Sequence, residues 1–251
     1  MQKTFGRYAD YYDLIYQDKD YHRECDYIES LWRRFGKTDV RSVLNVGCGT
    51  GGHDILLAER GYEVHGLDRS IEMVEIASEK AGKRNLNINF INQDIIHFQS
   101  DRKFDAVISM FATMGYLTSN ENLIAGMKNI RSCLDKGGLF LFDLWYGPAV
   151  LAQRPETRMK PMTIEGEVLY RLALPSLDST RNAVDVEYII IHPSRNLEVR
   201  ELHRMRYFFV PELEWMADQG GFSMIGSFAF LSEREPPSLD SWNITCVLGA
   251  V

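Results

Sequence analysis

The stretch that most constrains this chain is a short apolar run, Ser42-Val43-Leu44-Asn45-Val46, that ends in Gly47-Cys48-Gly49-Thr50-Gly51-Gly52. A run of that length bounded by turn residues reads as a buried strand. Beyond the glycines, Asp54 to Arg60 has apolar residues at helical spacing, with Gly61 placed to cap its C-terminus. The unit is strand, tight turn, helix. Missing side chains in the turn let a ligand approach the backbone, and the helix N-terminus offers free N–H groups, so the turn suits an anion or a nucleotide.

The unit recurs. Glu63 to Leu67 leads to a helix from Ile71 to Ala81 behind a Ser70 N-cap, and Ile88 to Asn92 is followed by a loop. Then come Phe104 to Met110, a helix around Asn122 to Leu134, the turn Lys136-Gly137-Gly138 and the apolar Leu139 to Leu144. Five strands separated by helices or crossovers predict a parallel sheet covered on both faces. After Trp145 the texture changes. Glu165 to Leu172, Ala183 to Ile191 and Glu198 to Phe209 carry β-branched and aromatic residues with stretches of alternation, which predicts an antiparallel insertion. Pro211 to Gln219 reads as a helix stopped by Gly220-Gly221, and strands near Phe222 to Leu231 and Trp242 to Leu248 would close the sheet with a hairpin. The expected organisation is a helical N-terminal lid over 1–40, a core over 41–147 and 208–251, and an accessory insertion over 148–207.

Composition narrows the function classes. At 251 residues and 45% hydrophobic, the chain can bury one large core with a small accessory sheet. A net charge of -7 argues against a phosphate-backbone footprint, so nucleic acid is not expected as a partner. Met1 to Arg7 has no apolar leader pattern, and no stretch approaches the ~18 apolar residues of a membrane span, which predicts a cytoplasmic protein without a membrane partner. Cys25, Cys48, Cys133 and Cys246 lie far apart with no CxxC pair, so structural thiols are expected rather than a metal site or a disulfide framework. Oligomeric state stays open, a homodimer included.

The glycines alone fit two classes, because Gly47, Gly49 and Gly52 also satisfy the G-x-G-x-x-G spacing of dinucleotide oxidoreductases. Asp68 ends the second strand about 20 residues on, where a carboxylate can accept from both ribose hydroxyls of an adenosine, or cap the next helix. Asn92-Gln93-Asp94-Ile95 follows the third strand and Phe104-Asp105-Ala106-Val107-Ile108-Ser109-Met110 forms the fourth. In this order the four motifs resemble class I S-adenosylmethionine-dependent methyltransferases. The resemblance implies a Rossmann-like, seven-stranded, mostly parallel sheet, with Asp94 on the adenine amino group and the fourth strand ending beside the methionine half of the cofactor. It nominates Gly47, Cys48, Gly49, Asp68, Arg69, Met73, Asp94, Ile95 and Met110 as residues that hold S-adenosylmethionine.

A narrower resemblance rests on Tyr8-Ala9-Asp10-Tyr11-Tyr12-Asp13-Leu14-Ile15-Tyr16, on Asp20-Tyr21, and on Met110-Phe111-Ala112-Thr113-Met114-Gly115-Tyr116-Leu117. These are similar to the nucleotide-linked amino-sugar N-methyltransferases, in which N-terminal tyrosines close over cofactor and substrate. By that resemblance Tyr12 and Tyr21 face the cofactor, Tyr16 and Tyr116 the reaction, and Tyr8 and Phe111 stand nearby. Tyr8, Tyr12 and Tyr16 also recur at helical i, i+4 spacing, as one buried stripe would.

Methyl transfer is an in-line displacement, so alignment of the acceptor lone pair outweighs acid–base chemistry. A neutral amine is nucleophilic and an ammonium is not, so a modest base suffices. His203 is the leading candidate. Leu202-His203-Arg204-Met205-Arg206-Tyr207-Phe208 alternates, which puts His203 with Tyr207 on one face and Arg204 with Arg206 on the other; the amino-sugar enzymes have a matching His. The insertion's arginines, Arg171, Arg200, Arg204 and Arg206 among them, read as a solvated sheet face or as partners for a pyrophosphate. Asp143, Trp145 and Tyr146 follow the fifth strand, where open parallel sheets keep their ligands. The expected activity is methyl transfer from S-adenosylmethionine to a small-molecule amine, such as a nucleotide-linked amino sugar. The alternatives are O-methylation of another metabolite, a dinucleotide oxidoreductase, and a non-catalytic cofactor-binding module.

Overall fold

A computed structural model describes residues 7–36, 39–164 and 166–251, apart from the Arg7 side chain. The leader reading at Met1 to Gly6, and Glu165 where the first insertion strand was expected to begin, lie outside the described residues. A short 3-10 turn, Arg7–Tyr11, leads into α1 (Tyr12–Ile15) and α2 (Tyr21–Phe35). Asp20 caps α2 by accepting from Arg23 N–H at 2.9 Å, and Cys25, Ile28, Leu31 and Trp32 bury one face at helical spacing.

The core then alternates as expected: β1 (Ser42–Val46), α3 (Gly52–Glu59), β2 (Glu63–Asp68), α4 (Ile71–Lys83), β3 (Asn89–Asn92), β4 (Phe104–Ser109), α5 (Asn120–Ser132) and β5 (Leu134–Trp145). Ser70 and Ser119 cap α4 and α5 through Met73 N–H and Asn122 N–H. One boundary differs. Gly137 and Gly138 do not end a turn before β5; the strand starts at Leu134 and absorbs them as an irregularity in its pairing with β4. Gly137 takes φ +87°, which glycine does without strain, so the bulge is tolerated inside the strand.

After α6 (Gly147–Gln153) the chain forms β6 (Arg158–Ile164), β7 (Glu167–Asp178), β8 (Ala183–His192) and β9 (Leu197–Arg206), then returns through α7 (Val210–Gln219) to β10 (Phe222–Ala229) and β11 (Asn243–Ala250). Seven strands make one sheet in the order β10-β11-β5-β4-β1-β2-β3, parallel except that β11 runs antiparallel to both neighbours. This is the predicted mostly parallel sheet. Strand order reverses between β1 and β4, and the carboxyl ends there open a crevice. Two cores flank the sheet: Leu44, Met127, Phe140 and Phe142 on the side of α5 and α7, and Leu31, Trp32, Val43 and Leu141 on the side of α2 and α3.

The separate sheet, β6-β7-β8-β9, is antiparallel throughout. Its strand β6 carries no regular alternation and was not expected from the sequence. The inner face packs Met162, Leu169, Ile190 and Val199 against Tyr8 and Ile15. The outer face carries Arg200 with Glu187 and Glu198, and Arg204 with Asp178 and Asp185, which is a solvated face. Arg206 departs from the alternation. The strand ends at Arg206, and its side chain turns inward to Glu212, to Asn120 Oδ1 at 2.8 Å and to the Thr118 carbonyl. Tyr207, expected on the face of His203, packs among Val150, Val184 and Val186, and the last two pair with Met205 and His203 on that face.

Candidate active site

A cavity with about 1170 Å³ of open space, its mouth included, sits over the switch point between β1 and β4. Its floor is the turn after β1. Gly47 holds φ +73°, and a Cβ there would collide with the Thr113 side chain. Gly49 holds φ +54° and lines the cavity, while a Cβ on it would meet nothing within 4 Å. That open approach to bare backbone is the space an adenosyl group needs.

Asp68 lies at the end of β2 and is already partly engaged. Its Oδ2 accepts from Gly49 N–H and its Oδ1 from Ser70 N–H, each at 2.9 Å. Burial pushes the Asp68 carboxyl above its ordinary value, while the Ser70 and Gly49 N–H groups pull against that shift. The remaining lone pairs fit a pair of ribose hydroxyls. Arg69, Met73, Gln93, Asp94 and Ile95 line the adjoining wall, and Asp94 Oδ1 accepts from Ile96 N–H at 3.1 Å, which orients its carboxylate.

The opposite wall comes from three distant parts of the chain. Tyr8, Tyr12 and Tyr16 come down from the N-terminal segment, Phe111 to Leu117 from the loop after β4, and Tyr188, His203 and Met205 from the second sheet. Tyr12 and Tyr16 meet at 4.8 Å between ring centroids, and Tyr16 meets Phe111 edge-on at 4.7 Å. Tyr116 Oη lies 2.7 Å from His203 Nδ1, and His203 Nε2 lies 3.3 Å from Glu201 Oε2. Glu201 also accepts from Tyr8 N–H at 3.2 Å. A carboxylate at Nε2 holds the proton on that nitrogen, which leaves Nδ1 to accept from the Tyr116 hydroxyl. Burial holds the Tyr116, Tyr12 and Tyr8 phenols well above their ordinary values, so all three are protonated near neutrality. Arg171, on β7, donates to the Tyr8 and Tyr16 hydroxyls at 3.0 and 3.3 Å and thus ties the N-terminal segment to the second sheet.

Of the nominated residues, Tyr12, Tyr16, Gly47, Gly49, Asp68, Arg69, Met73, Asp94, Ile95, Tyr116 and His203 line this one cavity. Three do not. Tyr21 packs its ring against the bare backbone of Gly52, where a Cβ would come within 2.5 Å, and against His53 at 4.9 Å between centroids. Cys48 is buried with its Sγ turned toward the Gly49 carbonyl, and burial pushes its thiol well up. Met110, just past β4, is packed with Ala106 and Ile108 into the core shared with α2. Sequence reasoning missed Glu201, Tyr188 and Asn243. The alternation Glu201-His203-Met205 was a usable signal for the first; the other two have none until the fold brings them in.

Comparison with known proteins agrees with this arrangement. Residues 43–138 match the methyltransferase domain family. Over 224 residues, 87% of this chain and 85% of the other, the chain is 29% identical to dTDP-3-amino-3,6-dideoxy-alpha-D-glucopyranose N,N-dimethyltransferase of Streptomyces fradiae. It is 27% identical over 210 residues, 82% of this chain and 86% of the other, to dTDP-3-amino-3,4,6-trideoxy-alpha-D-glucopyranose N,N-dimethyltransferase of Streptomyces venezuelae. A crystal structure of an S-adenosylmethionine-dependent methyltransferase from Clostridium acetobutylicum superposes with a TM-score of 0.82 at 20% identity, covering 99% of both chains. Residues 43–138, which supply the glycine turn, Asp68, Asp94 and the Phe111 to Leu117 segment, are therefore a methyltransferase domain, and the chain is a methyltransferase with the fold of the S-adenosylmethionine-dependent enzymes.

Proposed function

We propose that the chain transfers a methyl group from S-adenosylmethionine to the amine of a small molecule, and that the acceptor is a nucleotide-linked amino sugar. The observation that carries the reading is the single cavity bounded by Asp68 and the glycine turn on one side and by Tyr116 and His203 on the other, with Glu201 behind His203. The two amino-sugar dimethyltransferases of Streptomyces, similar over more than four-fifths of this chain, support the acceptor class.

When bound, S-adenosylmethionine supplies an electrophilic methyl group on a sulfonium. The chain's own residues do the rest. Asp68 accepts from the ribose hydroxyls, Asp94 accepts from the adenine amino group, and Gly49 keeps the floor clear of a side chain. Tyr12 and Tyr16 close over the ligand and exclude water. Tyr116, kept protonated by burial, donates to His203 Nδ1 and offers its oxygen lone pairs to an acceptor N–H. That contact aims the nitrogen lone pair, and the proton lost on methylation passes through the Tyr116 hydroxyl to His203. Glu201 keeps the imidazole in the accepting tautomer and stabilises its charge once protonated. Four free, buried cysteines favour a reducing compartment, and we place the reaction in the cytoplasm.

The test is kinetic. His203→Ala and Tyr116→Phe should each lower kcat by about 10²-fold or more, the range of a lost general base or aligning contact, while calorimetry shows S-adenosylmethionine bound as in the unchanged enzyme. Unaltered kcat in both variants would remove the Tyr116–His203 pair from the reaction.

A further inference from the structure

The segment between β4 and α5 crosses the cavity in a costly backbone conformation. Phe111 and Ala112 are successive non-glycine residues in the left-handed region, with φ 68° and 55°. Each crowds its Cβ against a neighbouring carbonyl, and two in succession persist only where the surroundings hold them. The turn presents the Phe111 ring edge-on to Tyr16 at 4.7 Å and to Tyr12 at 6.4 Å between centroids, and Lys19 Nζ sits 4.5 Å from the centre of the same ring. The position of this one turn therefore sets the aromatic surface that closes the cavity.

Beneath the turn lies Asp143 on β5, wholly buried and outside the cavity lining. Its Oδ1 accepts from Ala112 N–H at 3.0 Å, and its Oδ2 is buried without a hydrogen-bond partner. A carboxylate enclosed on these terms costs more stability than its own hydrogen bond returns. The return lies in the backbone it holds.

We propose that Asp143 is a positioning residue for methyl transfer: by accepting the Ala112 N–H it fixes the left-handed Phe111–Ala112 turn, and through the Phe111 ring it fixes where Tyr12 and Tyr16 stand over the cavity. The kinetic consequence rests on the methyltransferase reading above; the conformational one does not.

Four variants test it: Asp143→Ala, Asp143→Asn, Ala112→Gly, and Asp143→Ala combined with Ala112→Gly. Asp143→Ala should lower kcat at least about 10-fold, because displacement of positioning groups by about 1 Å costs rate steeply, while the Kd for S-adenosylmethionine moves by less than about 3-fold. Asp143→Asn keeps an oxygen for Ala112 N–H and should hold kcat within about 3-fold of the unchanged enzyme. Glycine takes the left-handed conformation without penalty, so Asp143→Ala made in the Ala112→Gly background should cost no more than half of the logarithm of kcat that it costs the unchanged enzyme. A second readout needs no ligand. Hydrogen exchange at the Ala112 amide in the protein alone should quicken at least about 10-fold in Asp143→Ala and stay slow in Asp143→Asn.

The proposal is overturned by an unchanged kcat in Asp143→Ala, by equal losses in the Ala and Asn variants, or by an undiminished cost of Asp143→Ala in the Ala112→Gly background. Should Asp143→Ala fail to fold, Asp143→Asn decides alone, and fast exchange or a lost kcat in that variant overturns it. An unchanged enzyme that methylates no amine would remove the functional reading, and the exchange measurement would still decide the role of Asp143.

Discussion

Asp68 already accepts hydrogen bonds from Gly49 and Ser70, so its carboxylate is aimed before a ligand arrives. Asp68→Ala should weaken S-adenosylmethionine binding by at least about 10-fold in calorimetry, since hydrogen bonds to a charged group contribute roughly 1.5–3 kcal/mol. Binding within twofold of the unchanged enzyme would move the ribose elsewhere. Asp54, one turn into α3, is buried with Oδ2 on Asn45 Nδ2 at 2.7 Å and Oδ1 unpartnered, and burial raises its carboxyl to about 7. A folded-state pKa raised above the unfolded value gives stability that is fully present below the ordinary carboxylate pKa and is lost as pH climbs through about 7. Asp54→Asn abolishes that titration, so its Tm relative to the unchanged protein should rise from about pH 4 to about pH 8; a pH-independent difference by scanning fluorimetry would contradict the assignment. At this scale the sequence was legible where a motif has fixed spacing, as for Gly47, Gly49, Asp68 and Asp94. It was illegible for Asn243 and Tyr188, which reach the cavity only through the packing of β11 and of the second sheet.

Among the elements, β9 separates surface from core within three residues. Arg204 pairs with Asp178 and Asp185 on the exposed face, whereas Arg206, 8% exposed, is covered and reaches Glu212, Asn120 and the Thr118 carbonyl. Arg204→Ala should cost under about 1 kcal/mol and Arg206→Ala about 1.5–3 kcal/mol, because only the second removes the charge-assisted hydrogen bonds of a buried guanidinium. Urea denaturation measures both, and equal costs would refute the distinction. Alternation alone put the two arginines on one face. It did not show their different exposure, because periodicity reports a strand's faces and not which part of a face other residues cover. The same blindness hid β6, whose Pro161 and flanking Met159 and Met162 break any clean pattern, and it split β5 at Gly137, where a glycine bulge looks like a turn. Where a cap and an apolar stripe were both read, as for α4 behind Ser70, the expected start is the observed one because hydrogen-bond chemistry marks it.

For the molecule as a whole, one cavity is assembled from an N-terminal segment, a parallel-sheet core and a second sheet, joined by Arg171 to the tyrosines and by Tyr116 to His203. On the function proposed above, cofactor contacts fall mainly to the core and acceptor choice to the tyrosines and the second sheet. Among the described residues, no helix is long and apolar enough to cross a membrane. The central claim is amine methylation. It is tested most directly by mass-resolved transfer from S-adenosylmethionine to nucleotide-linked 3-amino and 4-amino sugars, with the matching hydroxyl sugars and other small amines alongside. The account predicts a gain of about 14 daltons per methyl on an amino sugar and none on its hydroxyl analogue. A gain on the hydroxyl sugar instead, or none on any amine while S-adenosylmethionine binds, would contradict it.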